Sequence, residues 1–593
     1  MSHIGSESLS YISMSIRYIL PILAVIILTR CFRSLLQNEN RKERWGSLSL
    51  SNGMHVILNH WENVIGRSRS SDVYMKFPTL SRTHAAVIRD DKGDWRIYDI
   101  RQLYLSAIGG WFQGNSSKQR EAIIVNGEAV EGKEGAPIEN GDVISLGGME
   151  LVFSTIDEAG EIKQALADKK PGSLIKQGIT LFFLTVFQLF LGIQLCISMG
   201  GDMTTAVLIS TIALILVMWL SYSITRALRR TAFEVETLAF FLCTIGMAVC
   251  ISSSPTDIYR QIVILIAGVV LFFTLGWFLR DLTKAKDLRK PIAVIGLLLL
   301  IANLIFSRPI YGARGWLEIG AFSFQPSEFV KIALIFVGAA TLDRLFAKRN
   351  LSVFVGFAGA CVVVLTMTND FGSALVFFVT YLVIAFMRSG DIATIILSIG
   401  SAGFAGFLAL RLRSHVSGRF VTWGNAWDYI YTGGFQQTRA MSAAAGGGLF
   451  GVGAGEGWLK NVFAADSDLV FGFVCEELGL IIAAAAFGSI ILFALFSVKS
   501  TETARSSFYA IGACAAASIL VFQMSLNVLG SMDILPFTGI TFPFVSRGGS
   551  SLIASWGLLA FIKAADTRRS ASIFVKTPRL LCGNDNGKDD EVI

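Results

Sequence analysis

Residues 461–497 read N-V-F-A-A-D-S-D-L-V-F-G-F-V-C-E-E-L-G-L-I-I-A-A-A-A-F-G-S-I-I-L-F-A-L-F-S, an acidic loop that leads into a long apolar run. The apolar part is long enough to cross the hydrocarbon core of a bilayer as one helix. Asp466 and Asp468 stand where the loop meets this helix, and Glu476 and Glu477 follow inside it. Because carboxylates at a membrane boundary cost free energy, this cluster is a candidate functional site. The alternative is a solvated loop acid beside a buried structural pair.

The composition extends this interpretation to the whole chain. Of its 593 residues, 53% are hydrophobic and 16% are charged, and the mean hydropathy is +0.58. Soluble proteins contain about 25% charged residues, so the many apolar runs of about 17 to 25 residues indicate a polytopic α-helical membrane protein. The net charge of +7 comes from loop lysines and arginines, which set the orientation in the membrane and do not indicate nucleic-acid binding. The eight cysteines form no C-x-x-C pair, so neither a disulfide framework nor a zinc site is indicated.

The first hydrophobic segment covers residues 12–29 and has no small-residue cleavage site, so we predict a retained membrane anchor. Near its start the only arginine is Arg17, whereas its end is followed by Arg30, Arg33, Arg41, Lys42 and Arg44. Positive residues favour the cytoplasmic side. We therefore expect the chain from residue 45 onward to enter the cytoplasm.

Residues 46–155 are polar and rich in turns, and short alternating runs flank the turn D-D-K-G-D. This pattern predicts a hairpin in a small β-sandwich. Five blocks follow one another in the order V-I-G-R (64–67), S-S-D-V (70–73), L-S-R-T-H-A (80–85), V-N-G (125–127) and N-G-D-V-I-S-L-G (140–147). Together they resemble a forkhead-associated (FHA) domain along its whole length.

FHA domains bind phosphothreonine peptides, and arginine is the natural forked partner of a phosphate. The resemblance implies that Arg67, Ser81 and Arg82 hold the phosphate and that His84 braces the loops. Between residues 101 and 121, the family's T-N-G turn is replaced by a longer segment that contains S-A-I-G-G-W-F-Q-G-N. The alternative is therefore a domain that kept the sandwich but lost phosphopeptide binding.

Residues 156–176 form a charged linker, and apolar runs follow with little interruption. We predict two accessory spans in 177–223, a core at 232–565 and a cytoplasmic tail at 566–593. The individual spans are placed near 177–197, 203–223, 232–252, 258–278, 291–306, 326–343, 351–368, 371–388, 391–410, 469–497, 507–528 and 548–565. Alternation from a cytoplasmic start puts the basic loops inside and the loops 307–325, 411–468 and 529–547 outside.

Polar blocks cluster on the predicted outer side. The first is G-A-R-G-W-L-E-I-G-A-F-S-F-Q-P-S-E-F-V-K (312–331), in which Pro326 suits the first turn of a helix. Glu328 and Lys331 are three residues apart and hence neighbours on one helix face. An unpaired lysine this far into a span costs roughly 2.5–3.5 kcal/mol. The pair is either functional or a structural ion pair between helices.

Four further blocks are T-N-D-F-G-S-A (368–374), G-F-Q-Q-T-R-A-M-S-A-A-A-G-G-G-L-F-G-V-G (434–453), Q-M-S-L-N (523–527) and L-P-F-T-G-I-T-F-P-F-V-S-R-G-G-S-S (535–551). The glycines of the second block suit close backbone approach or loop flexibility. Gly-Gly-Ser-Ser at the start of an apolar span would expose backbone N–H groups to an anion, or would simply allow tight helix packing.

Taken together, these blocks resemble the SEDS family (shape, elongation, division and sporulation), the RodA/FtsW polytopic proteins. The resemblance covers residues 232–565 and implies a ten-span all-α membrane bundle, to which about three spans and the cytoplasmic FHA domain are added. Members polymerise lipid II into glycan strands outside the cytoplasmic membrane, together with a class B penicillin-binding protein. Asp468 matches their essential loop acid. The chain departs from the family where P-E-x-H-T-D reads F-A-A-D-S-D, at Arg439 and at Arg547.

Glycosyl transfer from a lipid diphosphate needs a base for the acceptor hydroxyl and cations for the leaving group. Asp468 is the predicted base, with Asp466 as its rival. The candidate diphosphate cations are Arg314, Lys331, Arg439 and Arg547. The further candidate substrate contacts are Glu328, Gln436, Ser546 and Ser550. No ligand cluster requires a metal, although a divalent cation such as Mg²⁺ or Mn²⁺ could assist.

Three functions are compatible with this sequence. The first is a lipid II polymerase, and the second is a lipid II flippase, in which the same polar residues would line a passage between leaflets. The third is an inactive scaffold for a class B penicillin-binding protein. Clustering on the outer side and an intact Asp468 favour the polymerase. The FHA resemblance implies a phosphothreonine protein or kinase as a further partner.

Overall fold

The structure, a computed structural model, has a β-sandwich in its first part and a helical bundle in the rest. It describes residues 2–36, 44–51, 53–68, 71–90, 93–100, 122–130, 135–155, 176–201, 203–308, 315–319, 322–341, 347–389, 392, 395–401, 403, 419–568 and 571–575. The segment 101–121, where the sequence departs from the FHA pattern, lies outside these residues. Arg314 and most of the predicted span 391–410 also lie outside them.

Short strands form the two sheets of the sandwich. They are β1 (Gly46–Leu50), β2 (His55–Leu58), β3 (Glu62–Gly66), β4 (Val73–Tyr74), β5 (Ala85–Arg89), β6 (Trp95–Asp99), β7 (Ile124–Val125), β8 (Glu128–Ala129), β9 (Ala136–Ile138), β10 (Val143–Leu146) and β11 (Met149–Thr155). The sheet orders are β2-β1-β11-β10-β7-β8 and β4-β3-β5-β6-β9. The predicted hairpin is confirmed, because β5 and β6 pair antiparallel with Arg89 opposite Trp95. Trp95 packs against Phe153 of the other sheet, with 5.2 Å between ring centroids.

The bundle contains the remaining helices. They are α1 (Ser2–Leu36), α2 (Gln177–Met199), α3 (Met203–Ala227), α4 (Glu234–Ser253), α5 (Ile258–Leu279), α6 (Leu282–Phe306), α7 (Pro326–Thr341), α8 (Ala347–Met367), α9 (Phe371–Ser389), α10 (Phe435–Gly447), α11 (Val470–Leu478), α12 (Leu480–Thr501), α13 (Ser507–Ser531) and α14 (Gly549–Ala564). A two-stranded hairpin, β12 (Leu317–Ile319) with β13 (Phe322–Phe324), directly precedes α7.

Nine helices in the described part of the chain are long and apolar enough to cross a membrane. They include α1, which contains the predicted anchor, and α2 and α3, which match the predicted accessory spans. The chain is therefore a multi-pass membrane protein. Helix α4 is buried along its length, whereas only a third or less of the most apolar stretch of α3 and of α5 is buried, as expected for helices that face lipid.

The predicted span 469–497 is not a single helix. It is broken into α11 and α12 at Gly479, which has a φ of 89°. A Cβ atom at Gly479 would lie 2.4 Å from the carbonyl oxygen of Leu449, and one at Gly447 would lie 2.0 Å from that of Cys475. The glycines of the block 434–453 therefore allow α10 and the turn after it to pack directly against the backbone of α11.

Candidate active site

The loop that carries Asp468 forms a tight turn just before α11. The backbone N–H of Asp468 donates to the carbonyl oxygen of Ala464 at 2.9 Å, and Ala464 has a φ of 57°. Such a left-handed conformation costs a non-glycine residue of order 1–3 kcal/mol and persists where surrounding structure enforces it. The Asp468 carboxylate faces the loop after α13, because a Cβ atom at Gly539 would lie 3.2 Å from its Oδ2.

Two buried side chains hold this turn in place. The Asn527 amide, on α13, donates to the carbonyl oxygens of Ser467 at 3.3 Å, Asp468 at 3.1 Å and Ile540 at 2.8 Å. The Ser546 hydroxyl donates to the Ser467 carbonyl oxygen at 2.6 Å. Both side chains thus hold the backbone of the turn at Ser467 and Asp468 in place.

The position of Asp468 changes its acidity. Burial raises the pKa of its carboxyl group to about 6, and the negative charge of Asp466 adds to this rise. A hydrogen bond with Ser467 and the positive charge of Arg419 oppose it. A carboxylate with a pKa near the working pH is suited to accept a proton during a reaction.

Asp466 lies in a different environment, in an ion pair. Its Oδ2 is 2.9 Å from Arg547 Nε and accepts a hydrogen bond from the Ser253 hydroxyl at 2.8 Å. Arg547 Nη1 also contacts Asp257 Oδ2 at 2.8 Å, and its backbone N–H donates to the Asp466 carbonyl oxygen. Asp466 Oδ2 is therefore engaged by both Arg547 and Ser253, which favours Asp468 over its rival as the base.

Arg547 was predicted as a cation for the diphosphate, and the structure gives it two carboxylate partners instead. Its side chain is 35% exposed and lies between Asp257, which directly precedes α5, and Asp466 in the loop. Most of its charge is therefore compensated within the protein. Its clearest structural effect is to neutralise Asp466 and tie the loop to the start of α5.

Glu328 and Lys331 form an ion pair within α7. Lys331 Nζ lies 2.6 Å from Glu328 Oε1, and the two side chains are 1% and 6% exposed, respectively. The two residues lie on one helix, so the pair does not join two helices as the structural alternative expected. In this conformation the Lys331 ammonium group is paired and buried, and its role as a diphosphate cation stays a prediction.

The remaining predicted contacts are Gln436, Arg439 and Ser550. Gln436 contacts the loop that carries Asp468, Arg439 contacts a residue of its own helix, and Ser550 contacts a neighbouring element. Gln436 donates to the carbonyl oxygen of Phe463, and Arg439, one helical turn later, lies 5.0 Å from the centre of the Phe435 ring. Ser550 accepts a hydrogen bond from the backbone N–H of Gln325 at 2.9 Å, which joins the start of α14 to the start of α7.

Glu476 and Glu477 are structural. Glu476 accepts from the backbone N–H groups of Trp458 and Leu459, both at 3.0 Å. Glu477 accepts from the backbone N–H of Gly455 at 2.8 Å and from the Ser252 hydroxyl. This is the buried structural pair that the sequence left open, and it shapes the loop that precedes Asp466.

Sequence reasoning assigned no role to Asn527, Ser253, Asp257 or Arg419. Asn527 stands in the block Q-M-S-L-N. A polar amide inside an apolar span is uncommon, and this could have indicated a functional role for Asn527. Ser253, Asp257 and Arg419 carry no such signal, because they lie at helix ends or in loops. In the described part of the chain, no group of three or more His, Cys, Asp or Glu side chains is arranged to hold a metal ion.

The residues predicted to bind phosphothreonine lie together at one edge of the sandwich. Backbone N–H groups of Arg67 and Ser68 donate to the carbonyl oxygens of Ser81 and Arg82, at 2.9 and 3.0 Å. The side chains of Arg67 and Arg82 are exposed there. His84 is buried, and its Nδ1 lies 3.3 Å from the Ser81 backbone nitrogen, which fits the bracing role.

Comparisons with known proteins agree with these observations. The family model for FtsW, RodA and SpoVE, described as cell cycle proteins, matches residues 238–571, and the FHA domain model matches residues 63–147.

The peptidoglycan glycosyltransferase RodA of Mycobacterium leprae is 29% identical over 335 residues, which cover 52% of this chain and 69% of the relative. Stage V sporulation protein E of Bacillus subtilis is 30% identical over 348 residues, which cover 53% of this chain and 91% of the relative. A solved chain from a peptidoglycan synthase complex is 25% identical, with a TM-score of 0.48, and the match covers 56% of this chain and 96% of that one. The chain therefore belongs to the FtsW/RodA/SpoVE family of cell cycle proteins and carries an FHA domain in front of the family core.

Proposed function

We propose that this chain is a peptidoglycan glycosyltransferase that polymerises lipid II at the outer face of the cytoplasmic membrane, with Asp468 as the general base. Family membership and the RodA relative support the reaction class. One structural observation carries the choice of base: in the described part of the chain, the Asp466 carboxylate is held in an ion pair, whereas the Asp468 carboxylate is in none. Asp468 is also fixed by Asn527 through its backbone.

In the proposed reaction, the hydroxyl of one lipid-linked sugar attacks the anomeric carbon of another. Asp468 takes the hydroxyl proton as the new carbon–oxygen bond forms, and the bond from the anomeric carbon to the diphosphate breaks. The lipid diphosphate leaves with the electron pair of that bond. Positive side chains are needed to stabilise it, and such electrostatic stabilisation is often the largest catalytic contribution.

Two arginines in the described part of the chain are candidate partners of the leaving diphosphate: Arg439, which the sequence predicted, and Arg419, which it did not. Arg439 is stacked on Phe435, one helical turn after Gln436, which contacts the loop of Asp468. Arg419 is exposed and donates to the carbonyl oxygen of Phe537 at 3.3 Å, two residues before Gly539. Both are therefore better placed for a ligand than the buried Lys331. A Mg²⁺ or Mn²⁺ ion could share this role.

The orientation follows from the charge pattern. Basic loops favour the cytoplasm, which puts the FHA domain and the chain end inside and the Asp468 loop outside. We infer two protein partners from the family: a class B penicillin-binding protein that cross-links the strands, and a phosphothreonine protein bound by FHA. Relatives named RodA, FtsW and stage V sporulation protein E leave elongation, division and sporulation all open.

The proposal is tested with the purified full chain in lipid nanodiscs and fluorescently labelled lipid II, with and without a class B penicillin-binding protein. Glycan strands on a gel are the expected product. A lipid II flippase would instead move labelled lipid II between leaflets of a vesicle without forming strands. The proposal would be overturned if no glycan strands formed with any class B penicillin-binding protein of the source organism.

The raised pKa of Asp468 predicts the pH dependence of the reaction. Only the ionised carboxylate can accept the proton. Because the pKa of Asp468 is about 6, activity should be lost as the pH falls through about 6, and not near pH 4 as for an ordinary aspartate. Below that pH we expect kcat/KM to fall about tenfold per pH unit, and above about pH 7 to level off. A profile measured from pH 4.5 to 8 at constant ionic strength checks this. A rate that stays level down to pH 5 would contradict a base with this pKa.

Phosphopeptide binding by the FHA domain depends on Arg67 in this proposal. Replacing Arg67 by alanine removes a charge-assisted hydrogen-bond donor, and we expect phosphothreonine peptides to bind at least about tenfold more weakly. Fluorescence anisotropy with a degenerate phosphothreonine peptide pool measures the change. Arg96→Ala, an exposed arginine in β6, is the matched control and is expected to bind as the unmodified chain does. Equal binding by both variants would mean that the sandwich has lost this function.

A further inference from the structure

The sandwich contacts the membrane bundle at the turn between α12 and α13. Arg505, in that turn, is 7% exposed, and its guanidinium lies 5.4 Å from the Trp45 ring centre and 5.7 Å from the Trp61 ring centre. Arg89 of the sandwich stacks on the same two rings, at 4.5 and 6.0 Å. Desolvated cation–π contacts of this kind are stabilising, and arginine is their commonest cation.

Backbone hydrogen bonds fix the register of this contact. The Trp61 N–H donates to the carbonyl oxygen of Arg505 at 2.8 Å, so the chain just before β3 runs alongside the turn. His60 Nδ1 lies 2.9 Å from the carbonyl oxygen of Ala504. Polar backbone groups from both parts are thus satisfied by each other, which is characteristic of a specific contact between two surfaces.

Glu62 connects the sandwich to the first residues of α13. Its buried carboxylate accepts hydrogen bonds from the hydroxyl groups of Ser506 at 3.3 Å and Ser507 at 2.6 Å. A carboxylate at a helix N-terminus is also favoured by the helix dipole. Glu62, a residue of the sandwich, therefore binds the N-terminal end of α13.

This contact does not cover Arg67 and Arg82, which lie in the two loops predicted to hold phosphothreonine (the phosphothreonine loops). Glu62 is the first residue of β3 and Arg67 directly follows its last residue, so the two functions lie at opposite ends of one strand, about 15 Å apart. Arg67 and Arg82 stay exposed while Trp61 and Glu62 are buried against the bundle. The sandwich can therefore hold a peptide and the α12–α13 turn at once.

Helix α13 joins this contact to the candidate active site. It runs without interruption from Ser507 to Ser531, and Asn527 lies about 30 Å along it from Ser507. Asn527 is the side chain that donates to the carbonyl oxygens of Ser467 and Asp468. One continuous helix thus contacts the FHA domain at its first turn and the Asp468 loop near its last.

We propose that Trp45, Trp61, Glu62 and Arg89 form a second interaction surface of the FHA domain, separate from its phosphothreonine loops, whose partner is the α12–α13 turn of the same chain. Through this surface, phosphopeptide binding at the other end of β3 changes the Asp468 loop by way of α13. The effect on activity rests on the proposed function, whereas the docking and its effect on the loop do not.

The docking is tested by hydrogen exchange on the full chain in nanodiscs. In Arg505→Ala, we expect the amides of residues 61–66 and 504–509 to exchange at least about tenfold faster than in the unmodified chain. Glu62→Gln, a milder change, is expected to act in the same direction, and Glu502→Gln, an exposed acid of the same turn, to have no effect. Unchanged exchange in both Arg505→Ala and Glu62→Gln would overturn the docking.

The transmission through α13 is tested by adding a degenerate phosphothreonine peptide pool, with the unphosphorylated pool as control. In the unmodified chain, we expect the phosphorylated pool to change exchange at residues 464–469, and the polymerisation rate, by about fivefold or more. Arg505→Ala is expected to bind the pool with a Kd within about twofold of normal but to show neither change. An equal response in Arg505→Ala, no response in the unmodified chain, or no binding of the pool would each overturn this part.

The exchange readout also separates this inference from the proposed function. If the unmodified chain formed no glycan strands but exchange at 464–469 still responded to the phosphorylated pool, the enzymatic proposal would fail and the inference would stand. If strands formed at the same rate with and without the pool, and exchange at 464–469 did not change, the inference would fail and the enzymatic proposal would stand.

Discussion

Replacing Asp468 by asparagine is expected to lower the rate of lipid II polymerisation by about 10²- to 10⁴-fold, the usual contribution of a general base. Asparagine keeps the shape of the side chain and leaves the backbone at Asp468 free to accept from Asn527, so the loop should keep its conformation. The loss would therefore report the missing proton acceptor. Rates are measured with purified protein and labelled lipid II in nanodiscs.

The matched control is Asp466→Asn in the same loop. This change removes the charge that pairs with Arg547 Nε, but an asparagine oxygen can still accept from Arg547 and from the Ser253 hydroxyl. We expect a loss of about tenfold or less, since the remaining hydrogen bonds still tie the loop to α4. If Asp466→Asn abolished polymerisation while Asp468→Asn retained it, the assignment of the base would be reversed.

Much of the helical part of the fold could be predicted because long apolar runs mark the segments that cross a membrane. The apolar runs near 177–197 and 203–223 appear as α2 and α3. The same reasoning failed at 469–497, where hydropathy is continuous but the backbone is not. At the break, Gly479 leaves room for the Leu449 carbonyl oxygen, and that contact joins segments thirty residues apart. A single sequence shows the glycine but not the atom that needs the space.

The candidate site also has a part that the sequence predicts and a part that only the tertiary structure shows. Residue type and position at the membrane boundary were enough to single out Asp466, Asp468 and Arg547. Which acid is neutralised depends on Arg547 meeting Asp466, and on Asp257, which is distant from both in sequence, as the second partner of Arg547. The contact of Arg505 with Trp61 is of the same kind, because its partners are distant in sequence. Pairings between distant segments follow from tertiary packing, which local patterns do not encode.

The structural interpretation of the Glu328–Lys331 pair predicts a large change in stability. Lys331→Met removes the cation that lies 2.6 Å from the Glu328 carboxylate, and leaves that acid buried without its ion-pair partner. Breaking a buried pair in this way costs about 3–5 kcal/mol, because one charge stays uncompensated. We expect a clear loss of thermal stability in detergent, measured by the temperature at which half the protein aggregates.

The double variant Glu328→Gln/Lys331→Met separates structure from function. It removes both charges, and replacing a buried ion pair by neutral groups of similar volume is often tolerated. If the pair only fastens α7, stability and polymerisation should both return to near the unmodified values. A double variant that is stable but does not polymerise would show that Lys331 contacts the substrate in another conformation, and it would restore Lys331 as a cation for the diphosphate.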